Sequence, residues 1–315
     1  MNHLDLSQHN IFSSSTIDRS DHNIGDQRTL DELADSSHAR FLPVSGSKVM
    51  VTSNLEIVKI NKTEFRSQER YKKPPVYLGR AHGLHYFAVA VGDDNSKTNE
   101  FQELRYLAPL LSKNDASLLG YAVMMLTWQR NHRFCSVCSS PTISISSGHI
   151  LKCTGDSCGI EHYPRIDPAI IVLVENGEKI LLGRKSDWPE RRYSAIAGFV
   201  EPGESAEQAL VREVAEETGI EVIEASYQSS QPWPFPGSLM LGYFAKASTD
   251  QIHLKDGELQ DARWFTRQQL ANNIENGTFL PPTSASIAFR LIEAWFNESS
   301  NTPFHMLCEN NKTGC

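Results

Sequence analysis

The sequence predicts an α+β protein of more than one domain, and three observations carry that reading. The chain has 315 residues; four of its six cysteines form two knuckles, Cys135 with Cys138 and Cys153 with Cys158; and the residue pattern changes on either side of them. A chain this long exceeds what one ordinary core fills, so about two domains plus a small module are expected. Before the knuckles, short β-branched runs lead into helical spacing. After them, strand-like runs alternate with an acidic helix and an apolar one.

Composition narrows the class. With 40% hydrophobic and 22% charged residues the chain is globular rather than disordered or collagenous. A net charge of −8 argues against a protein built mainly to wrap nucleic-acid phosphates. Apolar runs such as Ala169 to Val174 are far shorter than the roughly 20 residues that span a bilayer, so no membrane association is expected. The polar start lacks an apolar signal core and the end lacks a Ser-Lys-Leu terminus, which makes cytoplasm the expected location.

Taken in order, residues 1–40 are Ser-, Asp-, His- and Asn-rich and read as a flexible extension. Residues 41–130 read as a smaller α+β domain. Lys48 to Thr52, Glu56 to Ile60, Val76 to Leu78 and His85 to Val91 have strand character, and Leu104 to Leu111 and Asp115 to Arg130 have helical spacing. Residues 131–165 carry the knuckles. Residues 166–300 open with a hairpin, Ile170 to Val174 and Ile180 to Leu182, about a Gly-containing turn. A Gly-rich loop, an acidic helix, a Pro-rich loop and a strand at Leu239 to Lys246 follow. Arg263 to Phe265 leads into a helix over Arg267 to Asn273, and a last helix covers about Ser284 to Phe296. Residues 301–315 form a polar tail with Cys308 and Cys315. No repeat of 20 to 50 residues is visible.

The most informative stretch runs from Gly198 to Ile220. Ser205 with Gln208 makes a capping box and Gly219 a C-terminal stop, which predicts helix over 206–218. Val211, Val214, Ala215 and Thr218 share one face, expected to pack, and Ala209, Glu213, Glu216 and Glu217 share another, which concentrates carboxylates. Like charges at these spacings cost roughly 0.2–0.5 kcal/mol per pair, which a bound cation would offset. A solvated acidic face is the bland alternative. Hard oxygen ligands on a rigid element suit Mg²⁺ or Mn²⁺ together with substrate phosphates.

This stretch resembles the Nudix box at each defined position: Gly198, five residues, Glu204, seven residues, Arg212-Glu213, an aliphatic, one residue, Glu216-Glu217, one residue, Gly219, an aliphatic. The resemblance implies a mixed-sheet α/β/α sandwich and metal-dependent hydrolysis of a diphosphate. It makes Glu213 and Glu217 ligands of catalytic Mg²⁺ or Mn²⁺, with Glu216 assisting them or activating water. Gly198, Glu204, Arg212 and Gly219 are structural within the box, Glu204 and Arg212 holding loop to helix. His162 and Ser194, near the box, read as structural.

Downstream, Ser230-Gln231-Pro232-Trp233-Pro234-Phe235-Pro236-Gly237-Ser238 is a proline-stiffened loop displaying two aromatics, a preset wall for a base or a packed surface turn. It resembles the SQPWPFPxS array of the NADH pyrophosphatases, the NudC-type branch of the Nudix hydrolases. Likeness continues through His162 to Arg165, Gly257 to Leu259, Ala262 to Phe265 and Leu280 to Pro282, about residues 130 to 296 in all. The branch implies that Glu258 completes the metal site and that Gln231 through Ser238 contact the dinucleotide. Ala197 and Ala288 line the pocket, Phe199 and Tyr163 stack on the nicotinamide, and Arg105 joins the substrate contacts. Tyr163 is implied to come from the other subunit of a homodimer.

The knuckle spacing suits a tetrahedral four-thiolate site for one structural Zn²⁺ per subunit, with Cys135, Cys138, Cys153 and Cys158 as ligands. The expected activity is hydrolysis of NADH or NAD⁺ to nicotinamide mononucleotide and AMP. Removal of a 5′ NAD cap from RNA is the alternative, and a noncatalytic zinc-ribbon and Nudix scaffold a second. The carboxylate set argues against the scaffold, which has no need of it.

Overall fold

The computed structural model describes residues 3–13, 16–20, 27–68, 74–92, 100–255 and 257–311. Its contacts divide the chain into two units: residues 1–13, 167–231 and 239–315, and residues 14–166 with 232–238. The described part of the expected extension is not patternless. It holds helices α1 (His3–His9) and α2 (Gln27–Ala34), and between them Asn10, Ile11 and Phe12 are buried. These helices are too short for apolar spacing to reveal them, and long-range contacts stabilise them instead.

The N-terminal unit, to which α2 but not α1 belongs, continues through β1 (Ala39–Ser45), β2 (Lys48–Met50), α3 (Lys62–Ser67), β3 (Val76–Ala81), β4 (Leu84–Ala90) and β5 (Phe101–Glu103). These strands form a sheet in the order β3-β4-β1-β2-β5, with β1 parallel to β4 and the other pairs antiparallel. Phe41 stacks on Phe65 at 4.2 Å and on Phe87 at 5.1 Å, so aromatic packing closes this core. The expected strand at Glu56 to Ile60 is reduced to isolated bridges, Val51 with Ile57 and Phe41 with Ile60. Helix α4 (Leu104–Leu107) stops after one turn and a 3₁₀ turn at Ala108–Leu110 follows, because Pro109 cannot donate the next helical hydrogen bond. Helix α5 (Lys113–Asn131) is capped by Ser112, which accepts from the Asp115 amide, and packs against β1, β3 and β4. Next comes a small sheet of β6 (Thr142–Ile145), β7 (Ile150–Cys153) and β8 (Glu161–His162).

The C-terminal unit is a sandwich. Its elements are β9 (Asp167–Asn176), β10 (Lys179–Lys185), β11 (Ile196–Phe199), α6 (Ala206–Thr218), β12 (Val222–Trp233), β13 (Ser238–Ala247), β14 (Leu259–Thr266), α7 (Arg267–Glu275), α8 (Ile287–Asn297) and α9 (Phe304–Asn310). The sheet runs β12-β13-β9-β10-β14, and β11 pairs with Ala169 to Val172 of β9 while β10 pairs with Val174 to Asn176. Strand β9 is apolar without a break from Ala169 to Val174 because both its faces are covered there. Ile170, Val172 and Val174 point into a core with Ala209, Leu210 and Val214 of α6, whereas Ile171 and Leu173 point the other way onto Ile287, Leu291 and Ile292 of α8. The α+β class holds in both units.

Candidate active site

Helix α6 begins and ends where its local chemistry requires. Ser205 accepts from the Gln208 amide, Gln208 accepts from the Ser205 amide, and Gly219 closes the helix in the left-handed conformation at φ 70°. Its packing face differs from the expected one. Val211 is 44% exposed and Ala215 also faces outward, whereas Ala209, Leu210, Val214, Glu217 and Thr218 are buried. Leu210 presents the larger apolar surface, and burying it turns Val211 to solvent. The same rotation carries Glu217 inward to 2% exposure, an unusual setting for a carboxylate.

Arg212 braces the loop before the helix. Its Nε and Nη2 donate to Oε1 and Oε2 of Glu204 at 2.7 and 2.9 Å, and Nη2 also donates to the Phe199 carbonyl at 3.0 Å. Nη1 donates to Glu213 Oε1 and Glu216 Oε2, both at 2.9 Å. The Arg212 hydrogen bonds, with one from the Glu201 amide, hold the Glu204 carboxyl down at about 2. Glu213 is held above its ordinary value, first by burial and then by Glu216 and Glu258, against the pull of Arg212. Gly198 leaves room for the Glu213 carboxylate: a Cβ there would stand 1.9 Å from Cδ of Glu213, which would have to shift.

Glu258 reaches the same neighbourhood from the start of β14. The β10–β14 register slips between Arg184 and Lys185, which sets Lys185 opposite Leu259. Lys185 Nζ then donates to Glu258 Oε2 at 3.1 Å. Partial burial works against its charge, yet the bond to Glu258 and the fields of Glu217, Glu258 and Glu213 hold its ammonium above the ordinary value. Lys185 thus holds the carboxylate that precedes β14 within the field of those on α6, a role no spacing rule signalled. The oxygen-only set of Glu213, Glu216, Glu217 and Glu258 fits Mg²⁺ or Mn²⁺ in kind. Among the described residues Glu213 and Glu216 pair with Arg212 and Glu258 with Lys185, and the four carboxylates are not gathered on one point, as expected from their mutual repulsion.

The four cysteines are gathered. Their sulfurs lie within 4.8 Å of one another, with Cys138 to Cys153 at 3.3 Å and Cys135 to Cys158 at 3.8 Å. A tetrahedral zinc–thiolate site with bonds of about 2.3 Å needs sulfur separations of roughly 3.8 Å. Amides of Val137 and Gly155 donate to Cys135 and Cys153 sulfurs at 3.4 and 3.3 Å. Bonds from the Ser140 hydroxyl and amide pull the Cys138 thiol down to about 6. These features fit one structural zinc ion, and the four-residue second knuckle does not keep its sulfurs apart.

The Pro-aromatic loop is divided between the units. Residues 232–238 group with the N-terminal one, where Trp233 and Phe235 meet edge to face at 5.2 Å and Arg105 lies over both rings, at 5.5 and 4.9 Å. Arg105, Pro234, Phe235 and Pro236, with Tyr106 and Arg130, line a cleft of about 560 Å³. The Phe235-Pro236 bond is cis. Pro232 and Gly237 flank this segment, and Ser238 is buried at the start of β13. Gln231, in the C-terminal unit, is also buried and spends its polar atoms inside the protein, on Ile11, Ala285 and Ile287. Ala288 is core and Ala197 half-buried. Two expected stacking rings are open to solvent, Tyr163 at 63% and Phe199 at 57%. Cys308 is buried in the α8–α9 core, and Cys315 lies outside the described residues.

The sandwich and the braced glutamate helix define a Nudix hydrolase. A NUDIX domain model matches residues 165–283, an NADH pyrophosphatase-like rudimentary NUDIX domain residues 38–128, and an NADH pyrophosphatase zinc ribbon domain residues 130–163. The NAD-capped RNA hydrolase NudC of Stutzerimonas stutzeri is 40% identical over 203 residues, 64% of this chain and 70% of that protein. Its counterpart in Mycobacterium bovis is 38% identical over 241 residues, 71% and 76% of the two chains. A human NAD-capped RNA hydrolase is 37% identical over 202 residues, 61% of this chain and 44% of its own. The chain belongs to the NudC-type, NADH pyrophosphatase branch of the Nudix hydrolases. Among the described residues no helix is long and apolar enough to cross a membrane.

Proposed function

We propose that this chain hydrolyses the diphosphate of NADH or NAD⁺, releasing nicotinamide mononucleotide and AMP. The observation that carries the reading is the carboxylate set of the box helix, Glu213 and Glu216 held by Arg212 and Glu217 buried, together with Glu258, the residue before β14, held by Lys185. A scaffold gains nothing from concentrating that charge.

Glu213, Glu217 and Glu258, with Glu216 at the rim, would hold Mg²⁺ or Mn²⁺, which supplies charge neutralisation of the diphosphate. Glu216 would assist these ligands or take a proton from the attacking water. A phosphorus–oxygen bond forms to that water, the bridging bond breaks, and the displaced nucleotide phosphate leaves with the electron pair. Arg212 keeps Glu213 and Glu216 aimed while tying the Gly198 loop to the helix. Arg105, Trp233 and Phe235 supply a cationic, aromatic wall for a nucleotide, and exposed Phe199 and Tyr163 supply rings for the nicotinamide. Tyr163 acts from a second copy in the homodimer this branch implies.

The second reading, removal of an NAD cap from RNA, is favoured by the relatives named NAD-capped RNA hydrolase. It uses the same bond and the same residues. The test is product analysis with NADH, NAD⁺ and 5′-NAD RNA in Mg²⁺ or Mn²⁺. Mononucleotide and AMP in equal amounts are expected from NADH, and Glu217→Gln should lower turnover by about a hundredfold or more while melting at the wild-type temperature. Undiminished turnover in Glu217→Gln overturns the metal-site reading. Cleavage of capped RNA alone establishes the second function instead of the first.

A further inference from the structure

We propose that Asn10 is a positioning residue that presets the dinucleotide-contacting stretch beginning at Pro232. The proposal rests on the reading of residues 232–238 just given.

Strand β12 lies at the edge of the C-terminal sheet, where backbone groups lack a neighbouring strand. At its far end those groups are taken up by a segment more than 200 residues away in sequence. The Ser230 amide donates to Ser7 Oγ at 3.1 Å, and the Ser230 carbonyl accepts from Asn10 Nδ2 at 2.9 Å and from Ser13 Oγ at 3.3 Å. Asn10 Nδ2 also donates to Ser229 Oγ at 3.0 Å. Gln231 completes the arrangement: Nε2 donates to the Ile11 and Ala285 carbonyls at 2.8 and 2.7 Å, and Oε1 accepts from the Ile287 amide at 2.7 Å.

Asn10, Ser229 and Gln231 are 1%, 0% and 1% exposed, so the Asn10–Ser229 bond and the three bonds of Gln231 are shielded from water, while those on Ser230 are partly buried. Gln231 therefore ties three segments together: residues 7–13, the turn at Ala285 and the start of α8. Of the three residues before Pro232, Ser229 and Gln231 are held by their side chains and Ser230 by its main chain. Fixing them removes conformational freedom that the next residues would otherwise lose on binding a dinucleotide, and such preorganisation strengthens binding without touching the bond that breaks. The signature of this role is a change in KM with kcat preserved.

The experiment compares full-length wild type with Asn10→Ala, Ser7→Ala and Trp233→Ala, measuring KM and kcat for NADH and the melting temperature of each. Asn10→Ala loses one buried and one partly buried hydrogen bond and is expected to raise KM about tenfold with kcat within about twofold. Ser7→Ala, which removes one bond to the same Ser230 from a less buried position, is expected to raise KM about threefold and keeps the test available should Asn10→Ala not fold. Wild-type KM in folded Asn10→Ala or Ser7→Ala, with a raised KM in Trp233→Ala, overturns the proposal and leaves residues 7–13 as a stabilising strap. Wild-type KM in Trp233→Ala removes the reading of residues 232–238 itself, and the proposal with it.

Discussion

Arg212 and Glu204 form a two-bond fork, Nε to Oε1 and Nη2 to Oε2, between the body of α6 and the loop that precedes it. Planar guanidinium and carboxylate match in this geometry, which a lysine could not reproduce. Its strength depends on pH in a definite direction. Glu204 titrates near 2 in the folded chain against an ordinary 4.5, so the fork's stabilisation is complete above about pH 4.5 and is lost as pH falls through the folded value. In urea unfolding, the stability gap between wild type and Glu204→Gln should be constant from pH 7 to 5, shrink below 4.5 and close near pH 2. A gap unchanged at pH 3 would show that the fork is not what protonation removes.

Gly198→Ala tests the seating of Glu213. The added methyl would stand 1.9 Å from the Glu213 carboxyl carbon, so the carboxylate must move. Misplacing a catalytic ligand by about 1 Å costs on the order of a hundredfold in rate. Turnover should fall by that order while far-ultraviolet circular dichroism is unchanged. Wild-type kinetics would place the Glu213 carboxylate outside the reaction.

Zinc should be structural. Cys135→Ser is expected to bring metal content from about one zinc per chain to near zero and to destabilise the ribbon, since structural zinc contributes roughly 10–16 kcal/mol of apparent binding energy to folding in small zinc domains. Elemental analysis with limited proteolysis across residues 131–165 checks it. Full zinc content in Cys135→Ser would break the four-thiolate assignment.

Arg105 should matter through its charge over two rings. Arg105→Ala gives up contacts at 5.5 and 4.9 Å and a cation at the cleft, and KM for NADH is expected to rise about tenfold, with Mn²⁺ affinity unaltered. Arg105→Lys should fall between. If Arg105→Ala binds Mn²⁺ more weakly by the same factor, the cleft acts through the metal site and not through the nucleotide.

Much of this molecule was legible because its signals are local. Ser205, Gln208 and Gly219 determine the ends of α6 through hydrogen bonds and a backbone angle within one turn, and the observed span, Ala206–Thr218, is the one they predict. The cysteine knuckles likewise carry their own geometry within a few residues. The unbroken apolar run of β9 announced a buried strand, although not which helix would cover which face.

What only the tertiary structure decided depends on how separate elements pack. Val211 and Leu210 are adjacent on α6 and both apolar, and only contact with β9 settles that Leu210 goes in, carrying Glu217 with it. Lys185 faces Glu258 because of a slip in strand register. Asn10 meets Ser229 across 219 residues, a pairing that local propensity cannot encode. Caps, turns and ligand spacings are short-range and chemical, so one chain of letters determines them. Which side chains share a core, and which charges meet across strands, follows from burying apolar area in three dimensions.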